Sequence, residues 1–148
     1  MNEFFQMLKK DHVEFKGILG QLVETKEPKK REDLFHTLKI ALVPHMKAEE
    51  SAFYQPLLAK KEAREDALEG VEEHHVSEIV LKELEKMPKG EDQWAAKMSV
   101  FKELVEHHIK DEESKVFKSA EKALDQDEIQ NIMKKFDEEK QKIKKTLN

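Results

Sequence analysis

The sequence predicts an all-α protein: an up-down-up-down four-helix bundle with an additional C-terminal amphipathic helix. Charged residues make up 40% of the 148-residue chain, while glycine and proline number only four each, a balance that favours long amphipathic helices over a sheet. Apolar residues recur at steps of three and four, the period of one helix face. We expect a single domain over residues 1–148, with the bundle at about 2–120 and the C-terminal helix at about 125–147.

The first helix is predicted over about residues 2–26 and the second from about 31 to beyond 53. Pro28 separates them, because proline disfavours helical geometry in the residue before it. Pro44 lies inside the second helix and should kink it or force a local bulge. Pro56 should end or bend the last turns of the same helix.

The third helix is predicted over about 62–87 and the fourth over about 93–120. Because the connecting turns are short, neighbouring helices should be antiparallel. The fifth helix is predicted over about 127–147, with Asp125 or Asp127 as its N-cap. It carries no histidine, and we interpret it as a cover that docks on the bundle.

A repeated phrase, H-x3-E-E-S, is the main functional signal. It begins at His45 and returns at His108, and the offset from Glu49 to Glu112 is the same 63 residues. A histidine and a glutamate four apart lie one above the other on a single helix face. Two such helices facing each other would direct two imidazoles and two carboxylates at one point, as in metal sites built inside helix bundles.

Helical phase separates the seven histidines. His108 continues the apolar series of the fourth helix, and His107 follows a mixed face. His74 stands in the same relation to later apolar residues as His12, while His75 points about 100° away. The predicted inward set is His12, His45, Glu49, His74, His108 and Glu112, and the predicted outward histidines are His36, His75 and His107.

This inward set predicts a metal site. A single histidine on an apolar stripe is more often a satisfied core residue than a ligand, but six ligand-type residues in phase are costly to bury without a cation. Imidazole and carboxylate without thiolate suit iron, manganese or zinc. Glu50 and Glu113 should lie at the edge of the site, and direct ligation by Glu50 is left open. Three aromatic residues are expected in the core, namely Trp94, Phe101 and Phe136. Phe53 and Phe117 either line a dry pocket beside the metals or pack in the core.

Composition excludes several function classes. The net charge is −5 with interspersed signs, so nucleic acid is not an expected partner. The absence of cysteine excludes disulfides, thiolate metal sites, iron–sulfur clusters and thiol catalysis. No apolar run approaches the roughly 20 residues of a membrane span, and the N-terminal segment lacks the apolar stretch of a signal peptide. We expect a soluble cytoplasmic protein, and a homodimer is compatible with the sequence.

Four motifs in order resemble the hemerythrin-like (HHE cation-binding) family over nearly the whole chain. They are D-H in the first helix, H-x3-E-E-x-x-[FY] in the second, E-H followed by V-L-x-x-L in the third and H-x3-E-E in the fourth; the later ALDQDEIQNIMKKF segment is also similar. The resemblance implies a left-handed bundle that holds a non-haem di-iron centre with an oxo or hydroxo bridge. It implies that Glu49 and Glu112 bridge the irons and that the terminal ligands are His12, His45, His74 and His108.

The chain departs from the family's oxygen carriers, which have H-x3-H in the third helix and H-x4-D in the fourth. Here Gly70 and Val71 stand four and three residues before His74. With about twelve coordination positions on two six-coordinate irons, about two stay open, where a fifth histidine would leave one. We therefore expect a more open site than in an oxygen carrier, unless water, Glu50 or His75 closes it.

The expected function is binding of, or reaction with, oxygen, nitric oxide or a related oxidant such as peroxide, as a sensor or an iron- or redox-handling protein. One alternative is a di-iron enzyme that reduces peroxide or oxygen. Another is a structural bundle with a single zinc or no metal. We do not expect a conventional enzyme, because the sequence offers no separate acid–base constellation and no cofactor-binding loop.

Overall fold

A computed structural model describes residues 2–147, and within that range the chain is helical with no β-strand. The prediction of an all-α protein is confirmed. None of the helices between residues 2 and 147 is long and apolar enough to cross a lipid bilayer. The seven α-helices are α1 (Glu3–Glu24), α2 (Pro28–Glu49), α3 (Gln55–Leu58), α4 (Arg64–Lys86), α5 (Asp92–Asp111), α6 (Phe117–Ala123) and α7 (Gln126–Leu147).

Two π-helical segments join helices without a break. The first, Glu50–Tyr54, connects α2 to α3, and the second, Glu112–Val116, connects α5 to α6. π-Helical turns are rare and occur frequently at functional sites. Pro44 stays inside α2, before the first segment, and the second segment forms in a helix without proline. A proline is therefore not required for a segment of this kind.

Side-chain caps fix the N-terminal ends of the first and last helices. The Asn2 side chain accepts a hydrogen bond of 2.8 Å from the Phe5 backbone N–H at the start of α1. At the start of α7, Asp125 accepts from the Glu128 backbone N–H at 2.8 Å, and the Glu128 side chain accepts from the Asp125 N–H at 3.0 Å. This reciprocal capping box satisfies two donors at once. Asp125, rather than Asp127, therefore caps α7.

The apolar interior forms two clusters that lie on either side of a polar layer. The first contains Phe4, Phe53 and Phe136, and the second contains Trp94 and Phe101. All five side chains are almost completely buried, as is Phe117 in the first cluster. The expectation that Trp94, Phe101 and Phe136 lie in the core is confirmed, and Phe53 and Phe117 also pack there.

Helix packing explains how the polar layer is enclosed. Helix α1 packs against α2 and α5, and α4 packs against α5. Helix α7 runs along α2 and also touches α1, burying Ile129, Ile132 and Phe136 on its inner face. The C-terminal helix therefore covers one side of the polar layer.

Candidate metal centre

The six residues of the predicted inward set lie together between the two apolar clusters. The carboxylates of Glu49 and Glu112 are fully buried, and the four histidines are at most 8% exposed. Helix α1 contributes His12, α2 contributes His45 and Glu49, α4 contributes His74, α5 contributes His108, and Glu112 begins the second π-helical segment. The predicted outward histidines are exposed, namely His36, His75 and His107.

The first half of the centre, called site 1, consists of His12 and His45 with one oxygen from each carboxylate. The Nε2 atom of His12 lies 3.1 Å from Glu112 Oε1, and the Nε2 atom of His45 lies 3.4 Å from Glu49 Oε2. One donor atom from each of these four residues falls within 4.8 Å of all the others. Four convergent donors of this kind fit one cation.

The second half, called site 2, consists of His74 and His108 with the other oxygen of each carboxylate. His74 Nε2 lies 3.0 Å from Glu49 Oε1, and His108 Nε2 lies 3.7 Å from Glu112 Oε2. The two Nε2 atoms are only 2.9 Å apart. Donors that share one octahedral cation at about 2.0–2.1 Å lie about 3 Å from each other. One donor atom from each of Glu49, His74 and His108 falls within 4.8 Å of the others. These three donors therefore fit a second cation, and Glu112 Oε2 lies beside them.

Both carboxylates span the two sites in the same way. Glu49 turns Oε2 to site 1 and Oε1 to site 2, and Glu112 turns Oε1 to site 1 and Oε2 to site 2. Both oxygens of Glu49 and Oε1 of Glu112 accept no well-aligned hydrogen bond from residues 2–147. Buried carboxylate oxygens without partners are costly. The residues present therefore fit a pair of cations, which would satisfy these oxygens.

A second layer of carboxylates orients the four imidazole rings. Each Nδ1 atom faces a carboxylate from a neighbouring helix at 2.7–3.0 Å, while Nε2 faces the centre. Such partners fix the tautomer and orientation of a metal-binding histidine. They are Asp11 for His45, Glu50 for His74, Glu73 for His108 and Glu113 for His12.

This second layer gives a physical meaning to the D-H, E-H and E-E pairs of the sequence. In each pair, one residue faces the centre and its neighbour reaches the histidine of the next helix. The order runs from α1 to α2, from the first π-helical segment to α4, from α4 to α5, and from the second π-helical segment back to α1. Glu50 thus lies at the edge of the site, as expected, and contacts the outer nitrogen of His74. The sequence predicted the edge position of Glu50 and Glu113 but not the partner role of Asp11 and Glu73.

Electrostatics favour a positive charge at the centre. Burial lowers the pKa of His45, but Glu49 and Asp11 outweigh burial and raise this pKa to about 9. Burial likewise lowers the pKa of His108, but Glu49 and Glu73 raise it to about 10. Burial raises the pKa of the Glu49 carboxyl, whereas His45 and His108 hold it well below its usual range. Without metal, protons on His45 and His108 balance the buried carboxylates, and a metal cation would replace these protons.

Sequence reasoning missed Tyr54, the last residue of the first π-helical segment. Its side chain is fully buried, and its hydroxyl donates a short hydrogen bond to Glu112 Oε2 and lies 3.4 Å from His108 Nε2. Burial, together with the charges of Glu112 and Glu49, raises the pKa of this phenol well above its usual value. The signal in the sequence was the 63-residue offset, which pairs Tyr54 with Phe117.

A small cavity borders the four imidazoles on the side of the second apolar cluster. Its volume is about 10 Å³, which admits about one water-sized molecule. Ser77 supplies one hydroxyl to its wall. The other lining residues are His12, His45, His74, His108, Phe15, Leu42, Met46, Val105 and Ile109.

Comparisons with known proteins identify the family and the fold of the chain. Residues 3–120 match the family model of the hemerythrin HHE cation binding domain. Among solved structures, the chain is similar to a hemerythrin HHE cation-binding domain-containing protein from Mycobacterium kansasii, with a TM-score of 0.83, 23% identity, and coverage of 99% of this chain and 89% of that one. This likeness shows the fold. No curated protein matches the chain. Because the family match spans most of its length, the chain belongs to the hemerythrin HHE cation-binding domain family.

Proposed function

We propose that the protein holds a non-haem di-iron centre and binds or reacts with oxygen, nitric oxide or a related oxidant. One observation carries the proposal: Glu49 and Glu112 each direct one oxygen to the histidine pair of site 1 and the other to that of site 2. A single structural cation would need only one of these histidine pairs. Imidazole with carboxylate suits iron, and manganese or zinc would fit the same donors.

The proposal assigns a role to each layer of the centre. Iron, when bound, supplies redox chemistry and a position for a small ligand. The buried imidazoles and carboxylates hold that ion in place, and the outer carboxylates keep the Nδ1 protons on the outer side of each ring. The apolar wall of the cavity keeps bulk water from the four Nε2 atoms, which strengthens every electrostatic interaction there.

The size of the cavity supports a small ligand. A volume of about 10 Å³ corresponds to about one water molecule, so it leaves no space for a bulky substrate. Apart from Ser77 and the histidines, its lining is apolar. No separate acid–base pair accompanies it among residues 2–147, which favours a sensor or an iron- or redox-handling protein over a conventional enzyme.

The architecture and location belong to the same proposal. Helices α1, α2, α4 and α5 form an up-down-up-down bundle in a single domain, and α7 is its cover. The support is that α1 packs on α2 and α5, and α4 packs on α5. We infer a cytoplasmic location, in line with the absence of cysteine from the sequence, since disulfides are typical of secreted proteins.

Metal analysis combined with an optical titration tests the proposal. Protein produced in iron-rich medium should contain two irons per chain and show oxo-iron charge-transfer absorption. The iron(II) form, prepared without oxygen, should change its spectrum when oxygen or nitric oxide is added. Glu49→Ala should reduce the metal content to one per chain or less, because both sites lose an oxygen, whereas the surface variant Glu83→Ala should keep two. Fewer than one metal per chain in the unmutated protein, or a single zinc, would refute the di-iron proposal and favour a structural bundle.

A further inference from the structure

We propose that Tyr54 is a seventh metal ligand, which binds the ion of site 2 through its phenol oxygen. The inference deepens the proposed function and rests on it. It adds a phenolate to a donor set that otherwise consists of imidazole and carboxylate groups.

The Tyr54 hydroxyl lies among the donor atoms of site 2. Among the donor atoms of site 2, it contacts Glu112 Oε2 and lies 3.4 Å from His108 Nε2. The ring lies against the His74 imidazole, with 5.3 Å between the ring centroids. A spacing of about 3 Å between neighbouring oxygen and nitrogen donors is what one octahedral cation requires. The phenol oxygen is thus placed as another donor of site 2.

Gly70 provides the space for this ring, because it has no side chain. A Cβ atom at Gly70 would lie 2.9 Å from Cζ of Tyr54 and 3.0 Å from its hydroxyl oxygen. Gly70 stands four residues before His74, one helical turn away on the same face. Tyr54 therefore fills the volume next to site 2 that a side chain from α4 would otherwise fill.

The pseudo-symmetry of the chain also supports ligation by Tyr54. The position equivalent to Tyr54 at site 1 is Phe117, and the residue four before His12 is Leu8. Phe117 has no hydroxyl and stacks on Phe5 at 4.2 Å, while Leu8 is fully buried. The combination of a phenol and a glycine thus occurs at one of two otherwise matching sites. Packing alone requires no oxygen here, since phenylalanine serves at the other site.

Ligation changes the protonation of the phenol. An oxygen–metal bond forms, the O–H bond breaks, and one proton leaves to solvent for each Tyr54 that binds. No change of oxidation state is involved. Glu112 Oε2, which accepts the phenol hydrogen bond in the metal-free arrangement, is then freed to face the ion.

Spectroscopy can test this assignment without any activity, because Tyr54 is the only tyrosine in the chain. Iron(III)-loaded protein should show a visible phenolate-to-iron charge-transfer band, and resonance Raman excitation in that band should enhance phenolate ring modes that shift when the tyrosine is ring-deuterated. Titration with zinc, which is colourless, should produce the ultraviolet difference spectrum of one phenolate per chain. Tyr54→Phe keeps the ring and should abolish all three signals.

Metal content measured on the same samples separates the two proposals. Two metals per chain with the phenolate signals would support ligation by Tyr54. Metal-loaded protein without any phenolate signal would overturn this inference and leave the di-iron proposal intact. Fewer than one metal per chain would overturn both. The measurements on the unmutated protein keep the inference falsifiable even if Tyr54→Phe does not fold.

Discussion

Site 1 and site 2 have the same donors but different surroundings. Each has two histidines, one oxygen from Glu49 and one from Glu112, and each histidine has its own outer carboxylate. Site 1 is covered by α7, where Phe136 packs against the His45 ring at 5.5 Å. Within residues 2–147, α7 has no comparable packing against α4 or α5, which supply the histidines of site 2. Site 2 has the hydroxyl of Tyr54 instead.

The outer carboxylates show the same contrast. Asp11, behind His45, is 14% exposed and accepts hydrogen bonds from Lys140 of α7 at 2.9 and 3.1 Å. Glu73, behind His108, is 26% exposed. The repeated sequence thus produces a symmetric set of donors, while α7 and the Tyr54–Gly70 pair make the sites different. A duplicated fold can in this way hold two similar ions and treat them differently.

The largest expected effect comes from removing the cover of site 1. Phe136 is fully buried against Phe4 and His45, so Phe136→Ala should reduce the free energy of unfolding by about 3–5 kcal/mol. It should also weaken the metal at site 1 more than the metal at site 2. Urea denaturation and chelator competition measure the two effects. Phe101→Ala, in the other apolar cluster, should cost similar stability without favouring one site, and an equal loss of both metals in Phe136→Ala would contradict the comparison.

The next largest effect is the pH dependence of the stability of the metal-free protein. The pKa of His45 is raised from 6.5 to about 9 and that of His108 to about 10. A raised pKa stabilises the fold fully below pH 6.5, and this contribution is lost as the pH rises through the folded-state pKa; for His45 it is on the order of 3 kcal/mol. The urea midpoint should therefore fall as the pH rises above about 6.5, and the contribution of His45 should be lost by about pH 9 and that of His108 by about pH 10. Metal affinity should rise over the same range, because ligand imidazoles must be neutral.

A matched pair of outer-carboxylate variants should lower the metal affinity of one site each, with a smaller effect than the changes above. Asp11→Asn and Glu73→Gln each remove the charge behind one histidine, and loss of such a partner typically costs about 10–100-fold in metal affinity. We expect the larger loss for Asp11→Asn, because Asp11 is less exposed and Lys140 loses its partner. In a two-step chelator titration, Asp11→Asn should weaken the binding of one metal and Glu73→Gln that of the other. If both variants weakened the same metal, the pairing of carboxylates with sites would be wrong.

The sequence was sufficient to predict which residues face the interior, but not how their side chains are arranged around the centre. His74 and His75 could be separated because one residue along an α-helix turns the side chain by about 100°. The bridging orientation of Glu49 depends on carboxylate rotation, which no spacing encodes.

Tyr54 could not be placed because the helix changes its period. A residue five positions after Glu49 would point about 140° away from it in a regular α-helix. The π-helical segment Glu50–Tyr54 instead pairs residues five apart, which returns Tyr54 to the side of the centre. With Tyr54 as the proposed seventh ligand, one of the coordination positions that the sequence alone left open would be filled.

The smallest expected effect is the change in the free energy of unfolding when a glycine is replaced by alanine. We expect Gly70→Ala to destabilise the protein and Gly17→Ala to stabilise it. In α4, Gly70→Ala places a methyl group 2.9 Å from the buried Tyr54 ring, and overpacking of this kind costs about 1–3 kcal/mol, which exceeds the gain of about 1 kcal/mol in helix propensity. In α1, Gly17→Ala meets nothing within 4 Å, so it should stabilise the fold by up to about 1 kcal/mol. Urea denaturation of both variants measures the difference. Tyr54→Leu removes the opposing ring atoms. In that background, Gly70→Ala should destabilise the protein much less than it does in the unmutated protein. A Gly70→Ala protein as stable as Gly17→Ala would mean that the ring moves freely, and that the asymmetry between the two sites does not depend on Gly70.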